Sequence, residues 1–554
     1  MKWKILSKLK TQNFSPSRKK FKTEEIIKIL LANRGIKTKK EMEEFLHPPK
    51  PEELTEKDVG IKISQIKKAA ERIKQAIKKG EKIIVYGDYD TDGICGTAIL
   101  WETLYQLGAN VLPFIPSREE GYGLKTERIK RMAQERVKLI ITVDQGIVAY
   151  QQIEQAKNLG VDVIVTDHHV PGEKNLPALA VVHTIRLCGA GVAWFLAKSL
   201  PKSANKKIGE ELDLVTLATI ADMVPLLGPN RSLVKYGLEK LRHTKRLGLL
   251  SLFDFAGIKK ESLGVFEVSY LISPRLNATG RLDDPMDSLR LICTQDEKRA
   301  ISLAQKIDQQ NRERQNLTEK TILHAREIWL KQDTQESLIF VAHESYQEGI
   351  VGLVAGKLAE EFCRPAIVVS KGGEFSRGSA RSVKEFNILE AIRSCADLLG
   401  SHGGHQKAAA FVVETNKIEI LKERLNIFAK ENLKDKDLSP TLLVDLELNL
   451  NDLNQAFYED LNCLEPFGEG NPQPVFVSRK VKIVEAKMVG NGNKHLKLVV
   501  TPSNSNLVFE AIGFGMGEIF SQISPEKRVD IAYNLLLNEW QGQKRLQLRI
   551  RDIK

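Results

Sequence analysis

The stretch KIIVYGDYDTDG, residues 82–93, joins a run of apolar residues to three aspartates on alternate positions. Its first part, residues 82–86, predicts a buried β-strand. The aspartates Asp88, Asp90 and Asp92 follow where that strand ends, and residues 94–107 are patterned as an α-helix. Strand–helix alternation continues to residue 166, which predicts a parallel sheet built from βαβ units.

Two later strand-like runs also end in residues that can bind a metal ion. LIITVD ends on Asp144, and VIVTDHH ends on Asp167, His168 and His169. Because the carboxyl ends of parallel strands line the ligand crevice of an open α/β sheet, we expect these side chains to meet the three earlier aspartates. Carboxylates and imidazoles without thiolates suit divalent cations such as Mn²⁺ or Mg²⁺.

Two other interpretations of the aspartate-rich stretch are weaker. An EF-hand loop needs a glutamate at its twelfth position, where this chain has Ile99. A helix N-cap needs one aspartate, not three. A further aspartate, Asp222, ends the apolar helix predicted over 212–223, where the helix dipole disfavours a carboxylate unless a cation lies nearby. Enough carboxylates converge to hold two cations about 3.5–4 Å apart, as two-metal hydrolysis requires.

Length and composition limit the class of protein. A chain of 554 residues predicts about three domains. The net charge is +12, and residues 1–50 carry 14 Lys or Arg against five Glu, a net charge of +9. This surplus fits a polyanionic partner such as nucleic acid, although lysine-rich surfaces also serve solubility. The chain shows no 18-residue apolar run and no signal core, and its six scattered cysteines indicate a reducing cytoplasm.

The remaining segments differ in their patterns. Residues 1–60 are typical of short helices and loops, and residues 300–326 of a long helix that joins two lobes. A second α/β segment follows from residue 337, with a strand predicted over 366–370 and a helix over 388–399. From about residue 440 the chain alternates at period two in five or six short runs, one of them 495–501, which predicts a small antiparallel barrel.

The metal-binding motifs and several later ones occur in an order that resembles a known family. Asp-x-Asp, Asp, Asp-His-His and the helix-terminal Asp resemble the four motifs of the DHH phosphoesterase superfamily. SPRLNATGRLD at 273–283, NRER at 311–314 and PSR at 116–118, before GYG at 121–123, look like RecJ-type single-strand DNA exonucleases. EGIVG at 348–352, GSARS at 378–382 and GGH at 403–405 resemble the associated DHHA1 domain.

The resemblance implies roles for individual residues. The implied metal ligands are Asp90, Asp92, Asp144, His168 and Asp222, with Asp88 and His169 beside them as further catalytic residues. The implied substrate-binding residues are Arg118, Arg275, Arg281, Arg312, Arg314, Ser379, Arg381, Gly403, Gly404 and His405. Arg118, Ser379 and Arg381 would seat a 5′-phosphate, and we expect Gly403–His405 to form a loop with bare backbone amides.

The resemblance also implies an architecture and an activity. The implied domains are a basic segment (1–60), a parallel-sheet DHH domain (61–285), a connecting helix (286–330), a smaller α/β DHHA1 domain (331–435) and an OB-type barrel (440–554). The implied activity is 5′→3′ hydrolysis of single-stranded DNA in repair and recombination, with two Mn²⁺ or Mg²⁺ ions. The implied partners are 5′-phosphorylated single-stranded DNA and a helicase or single-strand-binding protein, with no membrane partner and a monomeric chain.

Two alternatives and two departures qualify this interpretation. An oligoribonucleotide or cyclic-dinucleotide phosphodiesterase of the superfamily would be shorter and lack the barrel, and a non-catalytic scaffold would lack the metal aspartates. Gln145 replaces the expected Asn or Cys, and His183-Thr184 replaces the usual Asn-Pro before a short connection to Gly189. In the barrel, the candidate strand-binding residues are Phe476, Lys480, Lys494, Lys497, Lys544, Arg545 and Arg549.

Overall fold

The computed structural model describes residues 1–7, 19–118, 120–121, 123–201, 211–332, 336–502, 505–540 and 543–554. Tyr122, which belongs to one of the RecJ-like motifs, lies outside the described residues. The chain divides into two compact units. The barrel unit comprises 1–53, 225–235 and 440–554, and the two-sheet unit comprises 54–224 and 236–439. Among the described helices, none has the length and apolar composition to cross a bilayer.

The described strands alternate with helices through most of the chain. In chain order the strands are β1 (Lys2–Ser7), β2 (Lys82–Tyr86), β3 (Val111–Phe114), β4 (Val137–Val143), β5 (Asp162–Asp167), β6 (Ala180–His183), β7 (Ile339–His343), β8 (Ala366–Ser370), β9 (Phe375–Arg381), β10 (Leu399–His405), β11 (Ala408–Glu414), β12 (Thr441–Glu447), β13 (Phe476–Val489), β14 (His495–Thr501), β15 (Phe509–Gly513), β16 (Arg528–Trp540) and β17 (Gln543–Ile553).

The α-helices are numbered in the same way. They are α1 (Lys19–Asn33), α2 (Lys39–Leu46), α3 (Glu56–Val59), α4 (Ile63–Lys78), α5 (Thr91–Gln106), α6 (Thr126–Gln134), α7 (Tyr150–Asn158), α8 (Gly189–Ser199), α9 (Leu212–Ala221), α10 (Gly228–Arg242), α11 (Leu247–Ala256), α12 (Val265–Glu267), α13 (Ser273–Leu282), α14 (Met286–Cys293), α15 (Glu297–Lys331), α16 (Glu348–Phe362), α17 (Ile388–Arg393), α18 (Ile418–Leu433) and α19 (Gln455–Leu461). A π-helix, Val268–Ile272, lies between α12 and α13.

The first sheet of the two-sheet unit is wholly parallel, as predicted. Its strand order is β3-β2-β4-β5-β6. Every residue of β2 after Lys82 is buried, which is typical of parallel strands covered on both faces. The chain passes from β2 to β3 on one side and then to β4 on the other. This reversal of strand order creates the crevice in which open α/β sheets bind ligands.

The second sheet of this unit is mixed. Its strand order is β10-β11-β9-β8-β7, and only β7 and β8 run parallel. The helix predicted over 388–399 ends at Arg393, and β10 begins at Leu399. The predicted loop at Gly403–His405 is therefore wrong, because these residues pair in register with Ala408–Ala410 of β11.

The barrel unit contains the predicted OB-type barrel. Strands β13, β14, β15, β17 and β16 are joined in that order, and β16 closes back on β13. All barrel pairings are antiparallel except β15 with β17. Strand β1, which was not predicted, runs parallel to β12, and β12 runs parallel to β13. The start of the chain thus belongs to the same sheet as its end.

A buried arginine joins the three segments of the barrel unit. Arg231 of α10 has no exposed surface. Its Nε donates to the backbone oxygen of Phe45 at 2.6 Å, and its Nη2 donates to that of Glu465 at 2.7 Å. Its guanidinium carbon lies 3.6 Å from the centroid of the Phe45 ring. Burial lowers the pKa of Arg231 to about 10, and backbone carbonyls accept its hydrogen bonds.

Candidate active site

The aspartate-rich stretch after β2 leads directly into helix α5. Asp90 is the N-cap, and its Oδ1 accepts the N–H of Gly93 at 3.0 Å. The capping interpretation therefore holds for Asp90 but does not account for Asp88 and Asp92, which are 5% and 1% exposed. Among the described residues, Oδ1 of Asp88 has no hydrogen-bond partner. A buried carboxylate oxygen in this state is costly unless a cation approaches it.

Asp92 is held by the first turn of helix α8. Its two carboxylate oxygens accept the N–H groups of Gly189 and Ala190 at 2.6 and 2.7 Å. The helix N-terminus carries partial positive charge, so it stabilises this carboxylate and fixes its orientation. A Cβ on Gly189 would lie 2.6 Å from the Cβ of Asp144, so only glycine allows this approach.

Asp144 is presented by strained backbone at the end of β4. Its φ of 60° lies in the left-handed region, which residues with a Cβ seldom adopt. Its N–H donates to the backbone oxygen of Thr166 at 3.0 Å, and Gly146 (φ 107°) completes the turn. Such strain is maintained when surrounding structure demands it, and it is common at functional sites. The side chain is 2% exposed and points into the cluster.

The His168 ring connects the three strand ends to helix α9. Its Nε2 lies 3.1 Å from Oδ1 of Asp144 and 3.7 Å from Oδ2 of both Asp92 and Asp222. Asp222 is the C-cap of α9, as predicted. One imidazole nitrogen therefore lies amid three carboxylates that come from different elements.

Asp167 positions the histidine pair. Its Oδ1 accepts the N–H groups of His168 and His169 at 2.7 and 3.1 Å, and lies 2.8 Å from Nδ1 of His169. Its Oδ2 accepts the N–H of Ile147 at 2.8 Å. Burial would raise the pKa of Asp167, but the hydrogen bonds from His169 and the backbone lower it below the ordinary value. The carboxylate is thus already satisfied by the protein.

Burial and mutual repulsion act on two other carboxylates of the cluster, those of Asp144 and Asp222. Burial raises the pKa of Asp144 well above its ordinary value, and Asp92 and Asp90 raise it further. Burial, followed by the same two neighbours, raises the pKa of Asp222 to about 9. Burial lowers the pKa of His168, which disfavours its cationic form. Cations in this cluster would reverse the two carboxylate shifts and would also favour neutral His168, because they stabilise carboxylates and neutral imidazole ligands.

The donor atoms are close enough for more than one ion. Three overlapping sets each bring three donor atoms within 4.8 Å of one another. They are Asp88, Asp90 and Asp144; Asp92, His168 and Asp222; and Asp144, His168 and His169. Asp144 belongs to two sets, which is the arrangement expected of a ligand shared by two cations.

A cationic pocket adjoins this cluster. The guanidinium of Arg118 lies 4.8 Å over the ring of Tyr89, and its Nε donates to the backbone oxygen of Gly280 at 3.0 Å. Arg281 donates to the backbone oxygen of Gly349 at 2.9 Å. Burial, then Arg118 and other nearby arginines, lowers the pKa of Arg281 to about 10. Neither arginine forms an ion pair with a carboxylate of the described residues, which leaves the pocket suited to an anion.

Strand β9 and helix α16 contribute to the same pocket. Nη1 of Arg381 donates to Oγ of Ser379 at 3.1 Å, and burial lowers the pKa of Arg381. A Cβ on Gly352 would lie 2.9 Å from Oγ of Ser379 and 3.1 Å from Nη2 of Arg381. The N-terminal part of α16 therefore approaches these side chains closely, and its dipole also favours an anion.

Comparison with known proteins places this geometry in a family. Residues 82–219 match the DHH family N-terminal domain, 335–431 the DHHA1 domain and 444–552 the RecJ OB domain. The chain is 36% identical to the single-stranded-DNA-specific exonuclease RecJ of Bacillus subtilis, over 99% of this chain and 71% of that protein. The chain belongs to the RecJ family. The RecJ of Thermus thermophilus is 34% identical, over 89% of this chain and 72% of that protein.

Solved RecJ structures share the fold. The crystal structure of Thermus thermophilus RecJ in complex with Mn²⁺ has a TM-score of 0.81 and 30% identity, and the match covers 100% of this chain and 79% of that one. The corresponding Mg²⁺ complex has a TM-score of 0.76 and 29% identity, with 100% and 78% coverage.

Some implied RecJ-family substrate residues have structural partners instead. Asp308, only 4% exposed, accepts Nε of Arg275 at 2.9 Å and Nε of Arg312 at 2.8 Å. Arg314 donates to Asn311 at 2.9 Å, but its buried Nε has no partner among the described residues. Arg314 is thus better placed for a further ligand than the two arginines on Asp308. In the second sheet, His405 and the glycines before it lie on exposed positions of β10.

The two departures from the RecJ-family motifs take part in hydrogen bonds. Nε2 of His183 lies 2.7 Å from the backbone oxygen of His169, so the substituted residue still supports the histidine pair. Nε2 of the fully buried Gln145 donates to the backbone oxygen of Gly87 at 2.5 Å, just before Asp88. Both side chains therefore connect neighbouring strand ends.

Sequence reasoning did not identify several supporting residues. It assigned no role to Tyr89, Gly189 or Asn277, although Oδ1 of Asn277 accepts the N–H of Thr91 at 2.7 Å. The signal for Tyr89 was its place between two site aspartates, whereas the other two act through tertiary contacts. In the barrel, the predicted stacking residue Phe476 is 1% exposed and belongs to the core.

Proposed function

We propose that this chain is a metal-dependent exonuclease that releases nucleotides from the 5′ end of single-stranded DNA. The observation that carries the proposal is the contact of Arg118 with Tyr89, the residue between Asp88 and Asp90. It joins the anion pocket to the carboxylate cluster, so a terminal phosphate and the next phosphodiester can be held together. RecJ relatives described as single-stranded-DNA-specific exonucleases support this substrate.

We assign the metal ligands to the cluster at the strand ends. They are Asp90, Asp92, Asp144, His168 and Asp222, with Asp88 and His169 beside them. Two Mn²⁺ or Mg²⁺ ions, when bound, supply an activated water and stabilise charge on the phosphoryl oxygens. The buried carboxylates and Oδ1 of Asp88, which has no hydrogen-bond partner in the described part of the chain, fit this role, and the metal-bound RecJ structures support it.

The protein's own residues would orient the strand. Arg118, Arg281 and Arg381 have guanidinium groups free of carboxylates among the described residues, so they suit a doubly charged 5′-phosphate. Asp167 holds the His168-His169 turn in place through three backbone N–H groups. Because the anion pocket lies on one side of the cluster, it would set the polarity of digestion at 5′→3′.

The barrel offers a second contact with DNA. Phe514, which follows β15, is 55% exposed, and the guanidinium of Arg549 lies 5.5 Å from its ring centroid. The ring of His495 packs edge-on against it at 5.3 Å. An exposed aromatic ring with an arginine beside it on the surface of an OB-type barrel is suited to stacking bases. By contrast, Lys497 already pairs with Glu510 at 2.9 Å.

These assignments give each domain of the chain a separate role. Residues 61–285 would hold the metals, 286–330 would connect the two sheet domains, 331–435 would help to seat the 5′ end and 440–554 would bind single-stranded DNA. A helicase or single-strand-binding protein would supply the strand during repair and recombination.

The direct test is digestion of 5′- and 3′-labelled single strands with Mn²⁺, Mg²⁺ or EDTA. We expect the 5′ label to appear first in mononucleotides, the 3′-labelled strand to shorten progressively and EDTA to stop both. Arg381→Ala should lower the rate on 5′-phosphorylated strands by about 10-fold or more and leave 5′-hydroxyl strands little changed. Release of 3′-terminal mononucleotides first would overturn the polarity.

A further inference from the structure

Gln145 is fully buried at the point where strands β2 and β4 end beside each other. Tyr86 and Thr142 are partners in the parallel register of these strands, and Gln145 lies three residues beyond Thr142. Its Nε2 donates to the backbone oxygen of Gly87, the residue that follows β2, at 2.5 Å. A side-chain amide at one strand end thus holds the backbone of the neighbouring strand end.

Gly87 is fixed from two further directions. Its N–H donates to the backbone oxygen of Phe114, at the end of β3, at 2.9 Å. A Cβ on this glycine would lie 2.0 Å from Oγ1 of Thr97, so helix α5 packs directly against its Cα. The next residue, Asp88, is as close to α5, because a Cβ on Gly93 would lie 2.6 Å from its backbone oxygen. The position of Asp88 is therefore set by β3, β4 and α5 together.

The residues at the other end of this hydrogen bond are held as firmly. The backbone oxygen of Gln145 accepts Oγ1 of Thr142 at 2.8 Å, which closes the turn after β4. The residue before Gln145 is Asp144, with its left-handed backbone. Asp144 and Asp88 are thus the chain neighbours of the two bonded residues. The hydrogen bond from Gln145 to Gly87 therefore fixes the separation of these two aspartates.

Stability alone does not explain a glutamine at this position. A backbone oxygen can only accept, so the amide NH₂ group of Gln145 must face Gly87. The remaining Oε1 is buried and has no hydrogen-bond partner among the described residues. A methionine of similar size would fill the same space without a buried unpaired acceptor. The position that the amide imposes on Gly87 is the better explanation.

We propose that Gln145 is a positioning residue for one of the two metal ions. The ion concerned is the one at the donor set Asp88, Asp90 and Asp144, whose donor atoms lie within 4.8 Å of one another. Asp92, in the other donor set, is held by helix α8 instead. The proposal rests on the metal ligands assigned under the proposed function, and it adds the residue that sets the geometry of one site.

A fixed separation of carboxylates matters most for Mg²⁺. This ion is small, demands near-ideal octahedral geometry and loses its water molecules reluctantly, so it tolerates displaced ligands poorly. The larger Mn²⁺ accepts longer and less regular bonds. Loss of the hydrogen bond from Gln145 to Gly87 should therefore weaken Mg²⁺ binding more than Mn²⁺ binding, and Gln145 helps to decide which ion the site accepts.

The test is calorimetric titration of the metal-free protein with Mn²⁺ and, separately, with Mg²⁺. Gln145→Met should weaken one of two Mn²⁺ sites by about tenfold or more, leave the other within about twofold, and weaken Mg²⁺ binding further. Gln145→Asn keeps an amide but ends about 1.5 Å short of Gly87, so it should behave like Gln145→Met. Wild-type affinity in either variant would overturn the proposal.

Gln310→Met is the matched control. Gln310 is 8% exposed, its Nε2 donates to Oδ2 of Asp283 at 2.6 Å, and its buried Oε1 also lacks a partner in the described part of the chain. It lies on α15, outside the carboxylate cluster, so its replacement should leave the affinities for both ions unchanged. Equal losses in the two methionine variants would mean that each glutamine supports only the fold, which contradicts a positioning role.

Two measurements separate positioning from a structural role. Urea unfolding of the metal-free protein should show Gln145→Met to be at least as stable as the wild type. With both sites loaded, electron paramagnetic resonance should show an altered coupling between the two Mn²⁺ ions in Gln145→Met and the wild-type coupling in Gln310→Met. Unchanged coupling and affinities refute the positioning role but leave the proposed nuclease intact. A wild type that binds no Mn²⁺ contradicts the metal assignment and this proposal with it.

Discussion

The substitution Arg281→Met tests whether Arg281 contributes to substrate binding or to the stability of the fold. The pKa of Arg281, lowered to about 10 from 12.5, corresponds to about 3 kcal/mol of destabilisation of its charged form in the folded protein. Part of this is relieved by solvent, because the side chain is partly exposed. The hydrogen bond to Gly349 offsets about 1 kcal/mol. We therefore expect Arg281→Met to change the free energy of unfolding by between about 0 and +2 kcal/mol, towards greater stability.

Arg281→Met should lower the activity even though it does not lower the stability. Loss of a charge-assisted contact with the 5′-phosphate should cost about 1.5–3 kcal/mol, or about 10- to 150-fold in kcat/KM on phosphorylated strands. Strands with a 5′-hydroxyl should change much less. Unfolding is measured by urea titration without metal, and activity by initial rates on matched strands with each kind of 5′ end.

Arg275→Met is the matched control. It removes an arginine that is paired with the buried Asp308, which would retain only the more exposed Arg312. We expect this variant to be destabilised by about 1–3 kcal/mol and to lose any activity equally on both kinds of strand. If Arg281→Met instead behaves like this control, the pocket arginine supports the fold and the phosphate assignment fails.

Four further predictions concern the metal cluster, one buried glutamate and the barrel. Asp144→Ala should lower single-turnover cleavage at saturating Mn²⁺ by far more than tenfold while filter binding to DNA is largely kept; retention of over a tenth of the rate contradicts a shared ligand. Because the pKa of Asp222 is about 9 without metal and that of Asp144 is also raised, Mn²⁺ binding at pH 7.5 should release at least one proton, and calorimetry in two buffers should show less release for Asp222→Asn. Burial raises the pKa of Glu211 to about 7, so the folded state binds more protons than the unfolded state between about pH 4.5 and 7. The free energy of unfolding therefore falls as pH rises through that window. Glu211→Gln should raise the free energy of unfolding by up to about 3 kcal/mol at pH 8 and change it little at pH 4. Phe514→Ala should weaken binding to long strands by about fivefold or more without a change in melting temperature, and equal affinity on long strands would contradict the barrel contact.

The parallel sheet could be predicted from the sequence because its strands are buried on both faces. Continuous apolar runs bounded by helices leave few alternatives for such strands, and the predicted bounds of β8 and β14 match the structure. Strand β10 could not be found in this way. It is glycine-rich, and every residue after Leu399 is exposed, so it has no apolar periodicity. Strand β1 is short, and its partner β12 lies near the other end of the chain.

The same difference between local sequence patterns and tertiary contacts decides which residues of the candidate site could be predicted. The aspartates and histidines follow strands whose order is set by local patterns, so their convergence could be predicted. The arginines could not be sorted, because a guanidinium that binds substrate and one that pairs with a buried carboxylate look alike in sequence. Asp308 distinguishes them, since it engages Arg275 and Arg312 but not Arg281.

The barrel unit is formed by three separate segments of the chain, and this limits how its role can be tested. Removing residues 440–554 would also remove the backbone carbonyls of Cys463 and Glu465 that Arg231 binds, and would leave a buried guanidinium with fewer acceptors. It would take away the partner strand of β1 as well, exposing an unpaired edge. Loss of DNA binding after such a truncation would therefore reflect unfolding of segments from three parts of the chain. A substitution at the exposed Phe514 removes an aromatic surface while these contacts remain, so it isolates strand binding from the integrity of the unit.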